Sequence, residues 1–149
     1  MKTPTRSVSI VLSLLILAGC AAGISGEALL KESRAVFGEK EQSFLFYVPS
    51  SGPIADATFI ALSHTTGPSA MAQEIAKLLA RGESGELRLA IAGDNSAKTQ
   101  RVVLDALKLN EGKKLKGLEL LLIGSSDIRN SLQEATEKLG GTFYFRPGP

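Results

Sequence analysis

His64 is the sole histidine among 149 residues, so it is the one side chain expected to change charge near neutral pH. It lies in Ser63-His64-Thr65-Thr66-Gly67-Pro68-Ser69, a stretch rich in hydroxyl groups. Two further stretches share that character, Gly93-Asp94-Asn95-Ser96 and Gly124-Ser125-Ser126-Asp127. Together they hold the parts of a hydrolase. His64 would be the general base, Ser125 or Ser126 the nucleophile, and Asp94 or Asp127 the acid that orients the imidazole. They equally hold the parts of a polar-ligand site. His64, Thr65, Thr66, Asp94, Asn95, Ser96, Ser125, Ser126 and Asp127 would line it, because exposed N–H groups at helix N-termini attract anions.

Spacing restrains both readings. Ile123-Gly124-Ser125-Ser126-Asp127 lacks the second glycine of the G-x-S-x-G nucleophile elbow. No G-x-G-x-x-G is present. Gly93-Asp94-Asn95-Ser96-Ala97-Lys98-Thr99 has a Lys-Thr pair without the glycine that a phosphate loop places before it. One histidine and one cysteine do not make a zinc site, and no metal or cofactor is expected. The plainer role of all three stretches is helix capping. Ser, Thr, Asn and Asp side chains accept bonds from the unpaired N–H groups of a first turn. Glycine at a strand-to-helix turn serves the backbone alone.

These stretches matter only if the chain brings them together. Glu27–Phe37 reads as a helix with Ser25 as its cap, and Gln42–Val48 as a strand rich in aromatic and apolar residues. Pro49-Ser50-Ser51-Gly52-Pro53 must be a loop. An alternation follows. Thr58–Ser63, Leu87–Ala92, Leu118–Ile123 and Thr142–Phe145 read as strands. Ser69–Arg81, Ser96–Leu109 and Asp127–Leu139 read as helices, the last with Ile128, Leu132, Ala135 and Leu139 on one side. Strands alternating with helices imply βαβ units and a parallel sheet. The expected fold class is therefore α/β, a small three-layer domain with a mainly parallel sheet of about four strands. The extra strand near 42–48 would add at an edge or pair antiparallel. The three polar stretches would then meet outside the carboxyl ends of the strands, where open α/β sheets bind ligands. Lys113-Lys114-Leu115-Lys116 reads as a solvated turn, with an acidic partner or lipid headgroups as the alternative.

The N-terminus speaks to location. Lys2 and Arg6 precede an apolar run from Val8 to Ala18, broken by Ser9 and Ser13. A basic start, an apolar stretch of about 7–15 residues and small residues at a cleavage site describe a secretory signal. Leu17-Ala18-Gly19-Cys20 resembles the lipobox of bacterial lipoprotein precursors, a resemblance confined to the first 20 residues. It implies a diacylglyceryl group on Cys20, cleavage between Gly19 and Cys20, and acylation of the new amino group. Residues 1–19 would be the signal, 20–26 the lipidated cysteine and tether, and 27–149 a single α/β domain. Two readings compete: an uncut anchor, for which the uncharged run from Val8 to Ile24 is short, since a span needs about 20 apolar residues, and an ordinary signal peptide with an incidental cysteine.

Composition then bounds the function. Without Lys2 and Arg6, basic and acidic residues balance at 15 each, so no basic field marks a nucleic-acid binder. With Cys20 acylated, no cysteine remains for a disulfide, and stability must come from a core. Two classes remain. One is a noncatalytic envelope lipoprotein that docks onto a larger assembly, using the edge near Phe44–Val48 as a pairing surface. The other is a small ligand-binding or hydrolytic lipoprotein working through the three polar stretches. The expected location is a membrane, on its extracytoplasmic side. Ala21, where aspartate would stand in a lipoprotein kept at the inner membrane, is similar to lipoproteins sent to the outer membrane of two-membrane bacteria. In a bacterium with one membrane the plasma membrane takes that place.

Overall fold

The computed structural model describes residues 23–148; the expected signal (1–19) and Cys20 lie outside them. Four strands make one sheet: β1 (Phe44–Val48), β2 (Leu87–Gly93), β3 (Leu118–Gly124) and β4 (Thr142–Pro147). They lie side by side in chain order and every pair is parallel. Five helices accompany them: α1 (Gly26–Phe37), α2 (Pro53–Thr66), α3 (Ala70–Leu79), α4 (Ser96–Lys108) and α5 (Arg129–Lys138). The chain is an α/β domain, as its alternation implies.

Strand order decides where the helices go. Right-handed crossovers between parallel strands laid down 1-2-3-4 put every connecting helix on the same face. The core follows that rule. Leu87, Leu89 and Ile91 of β2 and Leu118, Leu120 and Leu122 of β3 pack against Ile75 and Leu79 of α3, Val102, Val103 and Ala106 of α4, and Leu132 of α5. The opposite face carries Ala90, Ala92, Leu121 and Ile123 and would lie open to water. It is covered by Leu29 and Phe37 of α1, which precedes β1 and so is not bound by the crossover rule. Burial on both faces is why β2 and β3 read as near-continuous apolar runs.

Two expectations are corrected. Thr58–Ser63 is not a strand but the middle of α2. Its fully buried residues are the polar Asp56 and Ser63, seven positions apart and therefore on one side of the helix with the partly buried Phe59, while Ile54, Ala57, Ala61 and Leu62 face outward. The usual buried apolar stripe of a helix is broken there, so the run Thr58–Ser63 mimics a strand. Pro53 at the first turn favours the helical start. The second correction concerns residues 42–48. Phe44–Val48 is no addition to four other strands. It is itself the fourth parallel strand, at the sheet edge beside β2. Residues 49–86, with α2 and α3, supply the long crossover that a parallel pair needs. Among the described residues, no helix is long and apolar enough to cross a membrane.

Candidate functional site

A cleft of about 320 Å³ opens at the carboxyl ends of the strands. Gly93, Asp94 and Ser96 line it after β2, Gly124 and Ser125 after β3, and Gly23 and Ile24 where the chain enters α1. A larger hollow, about 700 Å³, runs along the outer side of α1 beside Glu27, Lys31 and Arg34, but holds none of the candidate residues. Among the described residues Asp94 is the one ionisable group lining the cleft. Its carboxylate accepts from the Tyr47 hydroxyl and from the Ser50 N–H, the latter at 3.0 Å. Those two bonds, the Tyr47 one foremost, hold the Asp94 carboxyl below its ordinary range. Burial, reinforced by the bond to Asp94, pushes the Tyr47 phenol up to about 12. Near neutral pH the pair is thus a neutral phenol donating to a fixed carboxylate. No room is left for a side chain at Gly23, whose Cβ would collide with Asp94 and Tyr47.

Beside this pair lies a second one that the sequence reading did not find. Lys98 is buried and its ammonium donates to Asp56 Oδ1 at 2.9 Å and to the Pro49 carbonyl at 2.7 Å. The Ser50 hydroxyl, at 2.5 Å, and the Ser51 N–H, at 3.0 Å, complete the shell around the Asp56 carboxylate. These bonds, with that of Ser50 foremost, bring the Asp56 carboxyl down to about 2. Asp56 and Lys98 stand 42 residues apart, and no local spacing announces them. The one signal in the sequence is Lys98 itself, in a Lys-Thr pair that lacks the glycine of a phosphate loop. Its charge is turned inward, bracing the loop between β1 and α2. The Thr99 hydroxyl is likewise turned to the Asn95 carbonyl, at 2.8 Å.

The nine candidate residues divide. Asp94, Ser96 and Ser125 share the cleft. Asn95 caps α4, accepting from the Lys98 N–H at 3.0 Å. Ser126 and Asp127 open the short 3-10 turn Ser126–Ile128 and are exposed. His64, Thr65 and Thr66 do not follow a strand, contrary to expectation; they are the last turn of α2. Arg101 donates to His64 Nδ1 at 2.9 Å and to the Ser63 carbonyl at 2.9 Å. With that nitrogen accepting, the neutral ring carries its proton on Nε2. The hydroxyls of Thr65 and Thr66 donate back to the Leu62 carbonyl, at 3.0 and 2.9 Å. No hydrogen bond joins His64 to Ser125, Ser126, Asp94 or Asp127 among the described residues, so the hydrolase grouping is not assembled. The described residues also contain no group of three or more His, Cys, Asp or Glu placed to hold a metal ion.

No protein-family model, curated protein or solved structure matches the chain.

Proposed function

We propose that this protein is a lipid-anchored bacterial envelope protein whose α/β domain acts by docking and not by catalysis. One observation carries the reading: Asp94, Asn95, His64 Nδ1 and Lys98, the charged and amide groups nearest to a chemical role, are engaged in holding the fold, which leaves the hydroxyls of Ser96 and Ser125 in the cleft without a charged group free to activate them. Asp94 is taken by Tyr47 and Ser50, Asn95 by the first turn of α4, His64 Nδ1 by Arg101, and Lys98 by Asp56. Among the described residues no buried side-chain nitrogen or oxygen lacks a partner. A catalytic group needs free capacity toward a substrate. These residues use theirs within the domain.

The anchor in this reading is acylated Cys20, and the partner is another envelope protein. The docking surface is the outer edge of β1, which pairs on one side only and leaves Phe44 and Leu45 exposed. In a two-membrane bacterium the outer membrane is the proposed location. The cleft favours a second reading, a small polar ligand held by Asp94, Ser96 and Ser125. Photo-crosslinking in cells separates them, with probes at Leu45 and at Ser125 on the wild-type background. A reproducible protein partner captured from Leu45, with full activity in cells of His64→Ala and Ser125→Ala variants, is the expected result. No capture at Leu45, with loss of function on changing the cleft residues, would falsify docking and favour the ligand.

A further inference from the structure

Helix α2 presents an unusual surface. Its buried side holds Asp56 and Ser63, while Ile54 is 85% and Leu62 54% exposed. Ala57, Thr58 and Ala61 are exposed with them. The absence of charge extends beyond the helix. From residue 42 to residue 73 the one formally charged side chain is Asp56, in a chain that is 21% charged. That charge is buried and matched by Lys98. The outer surface of α2 thus carries no lysine, arginine, aspartate or glutamate; its polar groups are Thr58 and, in the last turn, His64, Thr65 and Thr66, and no other described element covers it.

Where α2 lies gives this surface a context. Asp56 pairs with Lys98, and the Ser63 carbonyl and His64 receive Arg101. Lys98 and Arg101 belong to the first two turns of α4, so α2 lies over the half of α4 next to the carboxyl ends of the strands. The described chain begins at that same end. Gly23 packs on Asp94 and Tyr47, Asp94 accepts from Ser50, and Ser50 donates to Asp56 of α2. Only three peptide units separate Gly23 from Cys20, a reach of about 11 Å at full extension.

We infer that this end of the domain, with the outer side of α2, rests on the membrane bilayer. The inference depends on the lipid anchor proposed above. An acyl group on Cys20 brings the bilayer within about 11 Å of Gly23, too close for the domain to swing freely. A helix near that point whose outer face holds Ile54 and Leu62 and no formal charge can settle into the headgroup region. Ile54 and Leu62 would enter it. Because α2 carries no lysine or arginine, the contact needs no anionic lipid and resists salt. Lys113, Lys114 and Lys116 lie between α4 and β3, at the opposite end of the sheet, and would face away from the surface.

The test uses the full chain, processed and acylated in a bacterial host and reconstituted into phosphatidylcholine vesicles. Ile54→Cys, Leu62→Cys and Lys113→Cys variants each carry an environment-sensitive fluorophore. The natural cysteine is bonded to lipid, so each introduced thiol is the one that reacts. The expected result is blue-shifted emission at positions 54 and 62, strongly quenched by nitroxide lipids and unmoved by salt, with neither effect at 113. Emission at 54 and 62 matching that at 113, on protein that stays with the vesicles, overturns the orientation and leaves the anchor standing. Protein that lacks acyl chains and leaves the vesicles overturns the anchor, and the inference with it. Shielding at 54 and 62 found only in native envelopes, or lost from vesicles as the protein is diluted, assigns α2 to a protein partner or a second copy and overturns the bilayer.

Discussion

Lys98 and Asp56 form the residue-scale feature on which the carboxyl end of the sheet depends. Both side chains are nearly removed from water, at 6% and 1% exposure. Removing one partner of such a pair strands a charge in the interior, whereas replacing both with apolar groups is often tolerated. Lys98→Met is therefore expected to lower the melting temperature by roughly 10 °C. Adding Asp56→Leu to it should recover much of the loss, as read by thermal denaturation. A melting temperature unchanged in the single variant would show that the pair contributes nothing. The pH dependence follows from the same carboxylate. In the folded protein Asp56 titrates at about 2, below its ordinary 3.8, so in acid the unfolded chain takes up the proton first. Its contribution is complete above about pH 4 and is lost as pH falls through about 2. Urea midpoints measured down that range should drop in the wild type and fall less steeply in Asp56→Asn. Lys98 was visible in the sequence only as a misplaced phosphate-loop lysine. Its partner lies 42 residues upstream, and no period or motif connects the two.

At the scale of elements, legibility tracked how each segment meets the core. Helices α3, α4 and α5 turn apolar side chains inward, and their spacing declares them. The Ser25 cap of α1 was equally readable, and its hydroxyl accepts from the Ala28 N–H at 3.1 Å. Helix α2 defeats the same logic because its fully buried residues are Asp56 and Ser63, with Phe59 partly buried beside them, while Ile54 and Leu62 are exposed. Two glycines make the contrast testable. Gly93 and Gly124 stand at equivalent strand exits and read alike in sequence. A Cβ at Gly93 would meet the Thr99 hydroxyl, the Val48 carbonyl at 2.7 Å and Val48 Cβ at 3.0 Å, whereas one at Gly124 would meet nothing within 4 Å. Gly93 lets β2 pass close to both β1 and α4. Gly93→Ala should destabilise by about 1–3 kcal/mol through overpacking, and Gly124→Ala by less than about 0.5 kcal/mol. Chemical denaturation of the two variants checks the difference. Equal effects would mean that the close approach at Gly93 can relax without cost.

For the whole molecule, the strand order 1-2-3-4 has two consequences. An α/β sheet forms its ligand crevice where the strand order reverses, and this sheet never reverses. The sequence could supply strands and helices but not their order, so a crevice shared by three polar stretches was expected. The cleft that exists is shaped instead by the start of α1 beside Gly93 and Gly124. The second consequence is a division of labour along the chain. Among the described residues, the cores on the two faces of the sheet draw their buried residues from Leu29 to Leu139. Anchoring and folding should therefore separate cleanly. Acyl chains contribute about 0.8 kcal/mol per buried CH₂, one chain holds marginally and two or more hold firmly. In the lipoprotein reading proposed above, Cys20→Ser would remove the attachment point and leave the domain intact. The expected outcome is an unprocessed precursor or a protein released from the membrane fraction, with a melting temperature equal to that of the wild type. Fractionation with mass measurement of the N-terminal peptide reads both halves of that statement. A Cys20→Ser protein that is cut normally and still sediments with membranes would end the lipoprotein reading. The short tether from Gly23 would then lose its meaning as a constraint on how the domain faces the bilayer.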